Sequence, residues 1–355
     1  MTVAFFAPLK APDHPVPSGD RTMARGLIAA LRQGGATVTT ASGLRLYDGA
    51  GDSAHQDTLM AKAEQEIARI LADENAQAWR VWLTYHNYYK APDLIGPHIA
   101  RQLGIPYIQI ESTRARKRLT GPWARFAAAA EAASDAAHTI FFLTQRDAET
   151  LRRDAPAGQT LRHLAPFLAQ TDLPEASTLA GPMLSVGMMR PGDKMASYSL
   201  IVQTLAALPD GLDWQLDIAG DGPARDEVAD LMTPFGPRVR LHGALDQTAL
   251  AALYGQASLL LWPGVNEAFG LTYLEAQAAG IPVIAQDRPG VRDVVHPPLC
   301  CVDGGPAEMA ARIVQLATDA SARRAVGIKA RTQVAQNHLL GAAAATLHHT
   351  LGALS

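Results

Sequence analysis

Glu267-Ala-Phe-Gly-Leu-Thr-Tyr-Leu-Glu275 runs on into Ala276-Gln-Ala-Ala-Gly-Ile-Pro-Val-Ile-Ala285 and sets two carboxylates eight positions apart around a Phe-Gly turn. An uncharged strand, Ala257–Pro263, precedes it. A second apolar strand, Ile281–Ala285, follows an apolar helix. Strand, turn, helix and strand in that order read as one unit of a parallel sheet. Phe269-Gly270-Leu271 opens the helix, so its free N–H groups point out of the C-terminal edge of the sheet and form an anion site. Glu267 falls in the loop before the helix, and Glu275 lies about two turns further on. One region thus offers donors for a phosphate and carboxylates for hydroxyls. An N-cap or a surface charge is the alternative for Glu267, and a solvated helix carboxylate is the alternative for Glu275.

The same alternation extends in both directions. Upstream, Val3–Ala7, Val38–Ala41, Val81–Tyr85, Tyr107–Ile110 and Thr139–Leu143 read as strands. Arg21–Gln33, Leu59–Glu74, Leu94–Leu103 and Pro122–Ala133 read as helices between them. Residues 166–182 are poor in pattern and hold three prolines, which suits a linker. The alternation then restarts with strands Leu184–Gly187, Trp214–Ala219 and Val239–Leu241 and helices Tyr198–Leu208, Arg225–Met232 and Thr248–Gly255. The expected organisation is a Rossmann-like domain over 1–168, a linker at 169–181, a second Rossmann-like domain over 182–332 and a helical tail over 333–355 that can pack back on the first domain. Such sheets bind ligands at the carboxyl ends of their strands.

Composition narrows the class. The 355 residues are 48% hydrophobic, enough for about two domains. Met1-Thr-Val-Ala-Phe-Phe reads as a buried strand without the charged start of a signal peptide. The two cysteines, Cys300 and Cys301, are adjacent and match no metal site, which suits a reducing, cytoplasmic setting. Residues 1–170 carry a net charge of +3 and residues 171–355 one of −6. The basic excess has its focus at Arg114, Arg116, Lys117 and Arg118, with Trp123 and Arg125 beyond. Such a cluster can hold an anionic acceptor or lean on an acidic membrane face, or be a solvated loop. The mildly acidic chain with sparse aromatics argues against nucleic acid.

The Glu267–Glu275 segment and its neighbours, from Pro263 to Ala279-Gly280-Ile281-Pro282-Val283, resemble the retaining glycosyltransferases of the GT4 family with their E-x7-E motif. The resemblance implies the GT-B fold: two facing Rossmann-like α/β domains with parallel sheets and a ligand cleft between them. It implies a metal-independent transfer of a sugar from a nucleotide diphosphate sugar, UDP- or GDP-linked, with no cofactor. The acceptor, a sugar, glycolipid or small molecule, stays open. Leu216-Asp-Ile-Ala-Gly-Asp-Gly-Pro223 is similar to the family's strand and loop ending in G-x-G-P. Val239-Arg-Leu-His-Gly243 is similar to the next strand, which would put Leu245 near the base. Plain turn geometry is the alternative for Gly220, Gly222 and Gly243.

By that resemblance Glu275 holds the ribose hydroxyls, Glu267 orients the sugar, and the N–H groups near Phe269, Gly270 and Leu271 meet the diphosphate. Arg190 and Lys194 help there, a fork and a point charge. The family's usual pattern has Arg directly after Gly187; here Met188 takes that place. In the first domain Pro15-Val-Pro-Ser18-Gly19-Asp20-Arg21 fills the position of a Gly-rich loop, with Gly19 permitting close approach. Ser18 or Asp20 suits an N-cap. His86 ends a strand and can bond a sugar hydroxyl or be structural. Glu111 stands where many relatives carry a His.

No D-x-D, P-loop, nucleophile elbow or zinc-protease motif competes. A sugar-nucleotide epimerase of the same fold and a binding protein that kept only the donor site are the alternative readings.

Overall fold

The computed structural model describes residues 1–15 and 18–354; Val16 and Pro17, part of the Pro15–Arg21 stretch read above, and Ser355 lie outside the described residues. The chain divides into two compact units, Met1–Ala165 with Leu340–Ser355, and Pro166–Leu339. Residues 169–181, the expected linker, thus count with the second unit.

In the first unit the strands are β1 (Thr2–Phe6), β2 (Thr37–Ser42), β3 (Val81–Asn87), β4 (Tyr107–Ser112), β5 (Thr139–Phe142) and β6 (Thr160–His163). The helices between them are α1 (Gly19–Gln33), α2 (Ser53–Leu71), α3 (Gly96–Leu103), α4 (Ala124–Ala136) and α5 (Gln145–Asp154). The sheet is fully parallel in the order β2-β1-β3-β4-β5-β6. Its central strands are buried on both faces, which is why they read as near-continuous apolar runs.

Several boundaries differ from the sequence reading, and side-chain caps explain two of them. Asp52 accepts from the backbone of Ala54 and His55, so α2 starts at Ser53, six residues before its apolar stripe begins at Leu59. The Thr144 hydroxyl caps α5, accepting from the Asp147 N–H and donating to the Asp147 carboxylate (2.7 Å). That helix and β6 were absent from the sequence reading, because their exposed, charged residues mask the periodicity.

The second unit carries β7 (Met183–Val186), β8 (Leu216–Ala219), β9 (Val239–Gly243), β10 (Leu260–Leu261) and β11 (Val283–Ile284), parallel in the order β11-β10-β7-β8-β9. Its helices are α6 (Asp193–Ala206), α7 (Arg225–Met232), α8 (Gln247–Tyr254), α9 (Leu271–Ala278), α10 (Gly305–Thr318) and α11 (Ala320–Asn337). The helix α11 runs unbroken across position 333, so the last helix, α12 (Leu340–Gly352), begins seven residues later than the expected tail. It belongs to the first unit, where His348 bonds the carbonyl of Gly34 at the end of α1 (2.7 Å). No helix among the described residues is long and apolar enough to cross a membrane.

A buried polar network ties β3 and β4 to the start of α3. Asp93 is 2% exposed. One of its oxygens accepts from the Tyr107 hydroxyl (2.8 Å) and from Thr84, which itself accepts from the indole of Trp82. The other takes the N–H groups of Ile95 (2.9 Å) and Gly96 (2.7 Å) at the start of α3. Asn87 adds bonds to Ser134 and to the Asp93 N–H. Removing the carboxylate strands several buried donors, each costing about 1–3 kcal/mol. Asp93→Ala should therefore lower unfolding free energy by at least about 3 kcal/mol in urea titration; a loss below about 1 kcal/mol would mean that water replaces the carboxylate easily.

Candidate functional site

Each sheet has one point where the strand order reverses, and polar groups collect at both. In the second unit the chain builds β7-β8-β9 outward and then returns to place β10 on the far side of β7. Loops leaving β7 and β10 therefore diverge and open a crevice at their carboxyl ends. These are the segments 187–194 and 262–270, so Arg190, Lys194 and Glu267 fall there by topology.

Lys194 and Glu267, 73 residues apart in sequence, form an ion pair in that crevice. The same Glu267 oxygen accepts from the indole N–H of Trp262 (2.9 Å), and the Lys194 ammonium lies 5.2 Å from the Trp262 ring centre. Trp262 is fixed in turn by an edge contact with Tyr198 and by the absence of a side chain at Gly187, where a Cβ would come within 2.6 Å of the ring. Ser197 accepts from the N–H of Val265 and Asp193 from the Asn266 amide, which ties the 264–270 loop to the start of α6. Glu267 is thus a braced carboxylate rather than an N-cap or a free surface charge. Arg190 is exposed, and Met188, in the place of the family's usual arginine, is 43% exposed.

Gly270, at φ 78°, caps α9 with no side-chain hydrogen bond, so the first N–H groups of that helix, beginning at Leu271, are open. Phe269 is buried beside them. Glu275 sits one turn along and accepts from the Tyr254 hydroxyl (2.9 Å). Burial lifts its pKa above the ordinary carboxylate value, with the Tyr254 bond opposing the shift. Gly220 and Gly222 are packing glycines: a Cβ would come 1.9 Å from the Gly187 oxygen and 2.2 Å from the Met189 oxygen, respectively. The loops after β7 and β8 are zipped by backbone bonds from Met189 to Asp221 and from Ala224 to Met189. Gly243 turns at φ 71° before Leu245, which is half-buried.

In the first unit the reversal lies between β1 and β3. Ser18 caps α1, which leaves Asp20 free to meet His86 at 3.2 Å. Gly19 has open space where a Cβ would be. Glu111 ends the neighbouring strand, and its Oε2 is buried without a hydrogen-bond partner. His86 and Glu111 hold φ values of 67° and 58°. They and Asn266 (50°) are three of the four non-glycine residues with positive φ among the described residues, and such backbone costs about 1–3 kcal/mol each. Strain of this kind is retained where a side chain has a task.

The charges here are coupled. Burial opposes the His86 imidazolium, but the Glu111 and Asp20 carboxylates outweigh it and hold the pKa above the ordinary value. Burial lifts Glu111, against the pull of His86. Burial opposes the Asp20 charge, but the bond to His86 and the charges of His86 and Lys10 together outweigh it and lower the Asp20 pKa. In the sequence Asp20 suits a cap, and Trp262, Tyr254 and Tyr198 carry no mark, because nothing local marks a residue whose role is set by a contact from another element.

The basic cluster is not a free face. The Arg114 side chain is 1% exposed and pairs with Glu131 (2.9 Å) and Asp135 (2.7 Å), because α4 brings both carboxylates against it. Arg116 pairs with Asp154 (3.2 Å), and Arg125 with Asp57. Lys117 remains exposed, and Arg118 lies over aromatic rings.

Residues 183–319, from β7 to the Asp319 cap of α11, match the family described as Glycosyl transferases group 1. A GDP-mannose-dependent alpha-mannosyltransferase of Mycolicibacterium smegmatis is 38% identical over 137 residues, 38% of this chain and 35% of that protein. A 2-deoxystreptamine glucosyltransferase of Streptomyces kanamyceticus is 27% identical over 253 residues, 64% of this chain and 65% of that protein. The chain therefore spans about one third to two thirds of the length of these relatives. The crystal structure of Anabaena HepE in complex with UDP superposes with a TM-score of 0.74 at 14% identity, covering 100% of both chains, which establishes the shared GT-B fold.

The coupling in the first unit is open to test. Glu111→Gln removes the largest influence raising His86, so the imidazole pKa followed by NMR should fall toward about 6.5. An unchanged titration would detach Glu111 from His86.

Proposed function

We propose, from the group 1 glycosyltransferase match over residues 183–319, that this chain transfers a sugar from a nucleotide diphosphate sugar to an acceptor hydroxyl, with retention and without a metal ion. The observation that carries the reading is the meeting of Lys194 and Glu267 beside the open N-terminus of α9, inside the matched segment. A site that pairs anion donors with a braced carboxylate suits a ligand bearing both phosphates and hydroxyls.

In this mechanism the ribose hydroxyls bond Glu275, and Leu245 lies toward the base. The diphosphate meets the N–H groups at Gly270 and Leu271, with Arg190 and Lys194 supplying positive charge. Their electrostatic effect grows as the bond from the anomeric carbon to the phosphate oxygen breaks. Glu267 accepts a sugar hydroxyl while keeping Lys194 in place. The acceptor oxygen forms its bond on the face the diphosphate leaves, and its proton passes to a leaving phosphate oxygen. His86 and Glu111, beside Gly19, orient the acceptor hydroxyl.

Glu275 separates binding from stability. A carboxylate whose folded pKa is raised binds its proton more tightly in the folded chain, so its ionisation removes stability as pH rises from the unfolded value through the folded one. Glu275→Gln should therefore leave the unliganded protein at least as stable at neutral pH, yet weaken donor binding about 10- to 100-fold, the scale of a lost charged hydrogen bond. Calorimetry with UDP- and GDP-sugars measures the second effect, and an unaltered affinity would remove Glu275 from the ribose.

Transfer or donor hydrolysis should continue in excess EDTA, since Arg190 and Lys194 carry the leaving-group charge. Activity lost on chelation and restored by magnesium or manganese would overturn the metal-free chemistry. Release of an isomerised sugar without any acceptor would make the protein an epimerase.

A further inference from the structure

A series of aromatic rings leads away from His86 across the first unit. The ring centres of His86 and Tyr88 are 4.8 Å apart, those of Tyr88 and Tyr89 5.6 Å, and those of Tyr89 and Trp123 5.8 Å. All of these rings are half-buried, so each keeps some surface open. The far end of the series carries two cations on the same two rings. The Lys90 ammonium lies 5.9 Å from the Tyr89 centre and 5.3 Å from that of Trp123. The Arg118 guanidinium lies 5.0 Å and 5.4 Å from the same centres.

Two like charges sharing one pair of rings repel each other, and a neighbouring carboxylate would normally relieve that. None does: neither Lys90 nor Arg118 makes an ion pair among the described residues, and Arg118 Nε is buried without a hydrogen-bond partner. Asp48, whose backbone oxygen accepts from Trp123, turns its carboxylate away to the N–H groups of Ala50 and Gly51 and to the Gln56 amide. The other basic residues nearby are neutralised, Arg114 and Arg116 in particular. Lys90 and Arg118 are held in place by rings and left without a counter-charge.

We propose that Lys90 and Arg118, seated on Tyr89 and Trp123, form an anion subsite for a phosphorylated sugar, with the sugar ring lying along the aromatic series toward His86. Aromatic faces suit the C–H faces of a sugar, and a guanidinium beside an ammonium suits a phosphate monoester. That this ligand is the glycosyl acceptor rests on the transferase reading; the subsite itself does not.

The test uses the full chain with glucose 6-phosphate, glucose and inorganic phosphate as probes, in calorimetry at low salt. Glucose 6-phosphate should bind at least about tenfold more tightly than glucose, and K90Q/R118Q should abolish the difference. The preference should also shrink as salt rises. Equal binding of the two sugars by the wild type, or a preference retained in the double variant, overturns the proposal. Should the double variant melt well below the wild type, the single K90Q variant decides, because the Lys90 side chain makes no hydrogen bond. Flotation with phosphatidylglycerol vesicles that depends on Lys90 and Arg118, without glucose 6-phosphate binding, would assign the anion to lipid and also overturn it. UDP- and GDP-sugar binding is measured in parallel. If the donor is ignored but glucose 6-phosphate is preferred, the transferase reading fails and the subsite stands; the reverse result sinks the subsite alone.

Discussion

The indole of Trp262 resting on the bare Cα of Gly187 holds the second unit's crevice together. That contact places the ring, the ring's N–H and face place Glu267 and Lys194, and Tyr198 closes the arrangement from behind. Groups from the loop after β7, from α6 and from the loop after β10 thereby converge, with Lys194 and Glu267 73 residues apart in sequence. The pairing also has an electrostatic use. A lysine and a glutamate that neutralise each other can both sit largely out of solvent, where neither charge alone would be tolerated.

The first unit reaches a comparable end by another route. Its polar centre sits on strained backbone at His86 and Glu111, and the buried bonds of Asn87 to Ser112 and Ser134 hold the ends of those strands. Strain persists only where the surroundings over-determine it. Here the surroundings are a satisfied hydrogen-bond network on one side and an unsatisfied carboxylate oxygen on the other.

Much of the fold was legible because parallel strands covered on both faces leave continuous apolar runs, and every run assigned to a strand contains one, though Ala257–Pro263 and Ile281–Ala285 shorten to Leu260–Leu261 and Val283–Ile284. What the pattern could not carry were elements held by caps and charges, such as the first turns of α2 and the whole of α5. The Glu267–Glu275 segment was legible as a string, with Gly270 at a helix start and Glu275 along it. The partners that brace it were not: Trp262 reads as one more apolar residue, and Tyr254 belongs to another helix. The basic run Arg114–Arg118 conceals its partners for the opposite reason. It is contiguous in sequence, but the fold sends Arg114 inward to α4 and Arg118 onto Tyr89 and Trp123.

The zipped loops after β7 and β8 have a consequence for how such a protein can change. Their shape is written in main-chain bonds and in glycines that admit no Cβ, at 187, 220 and 222. Met188 and Arg190 project outward from that frame and contribute nothing to it. Two kinds of position thus lie side by side, some fixed by the backbone they serve and some exposed beside it. A substitution at Met188 should therefore alter what the loop presents without rebuilding the loop itself.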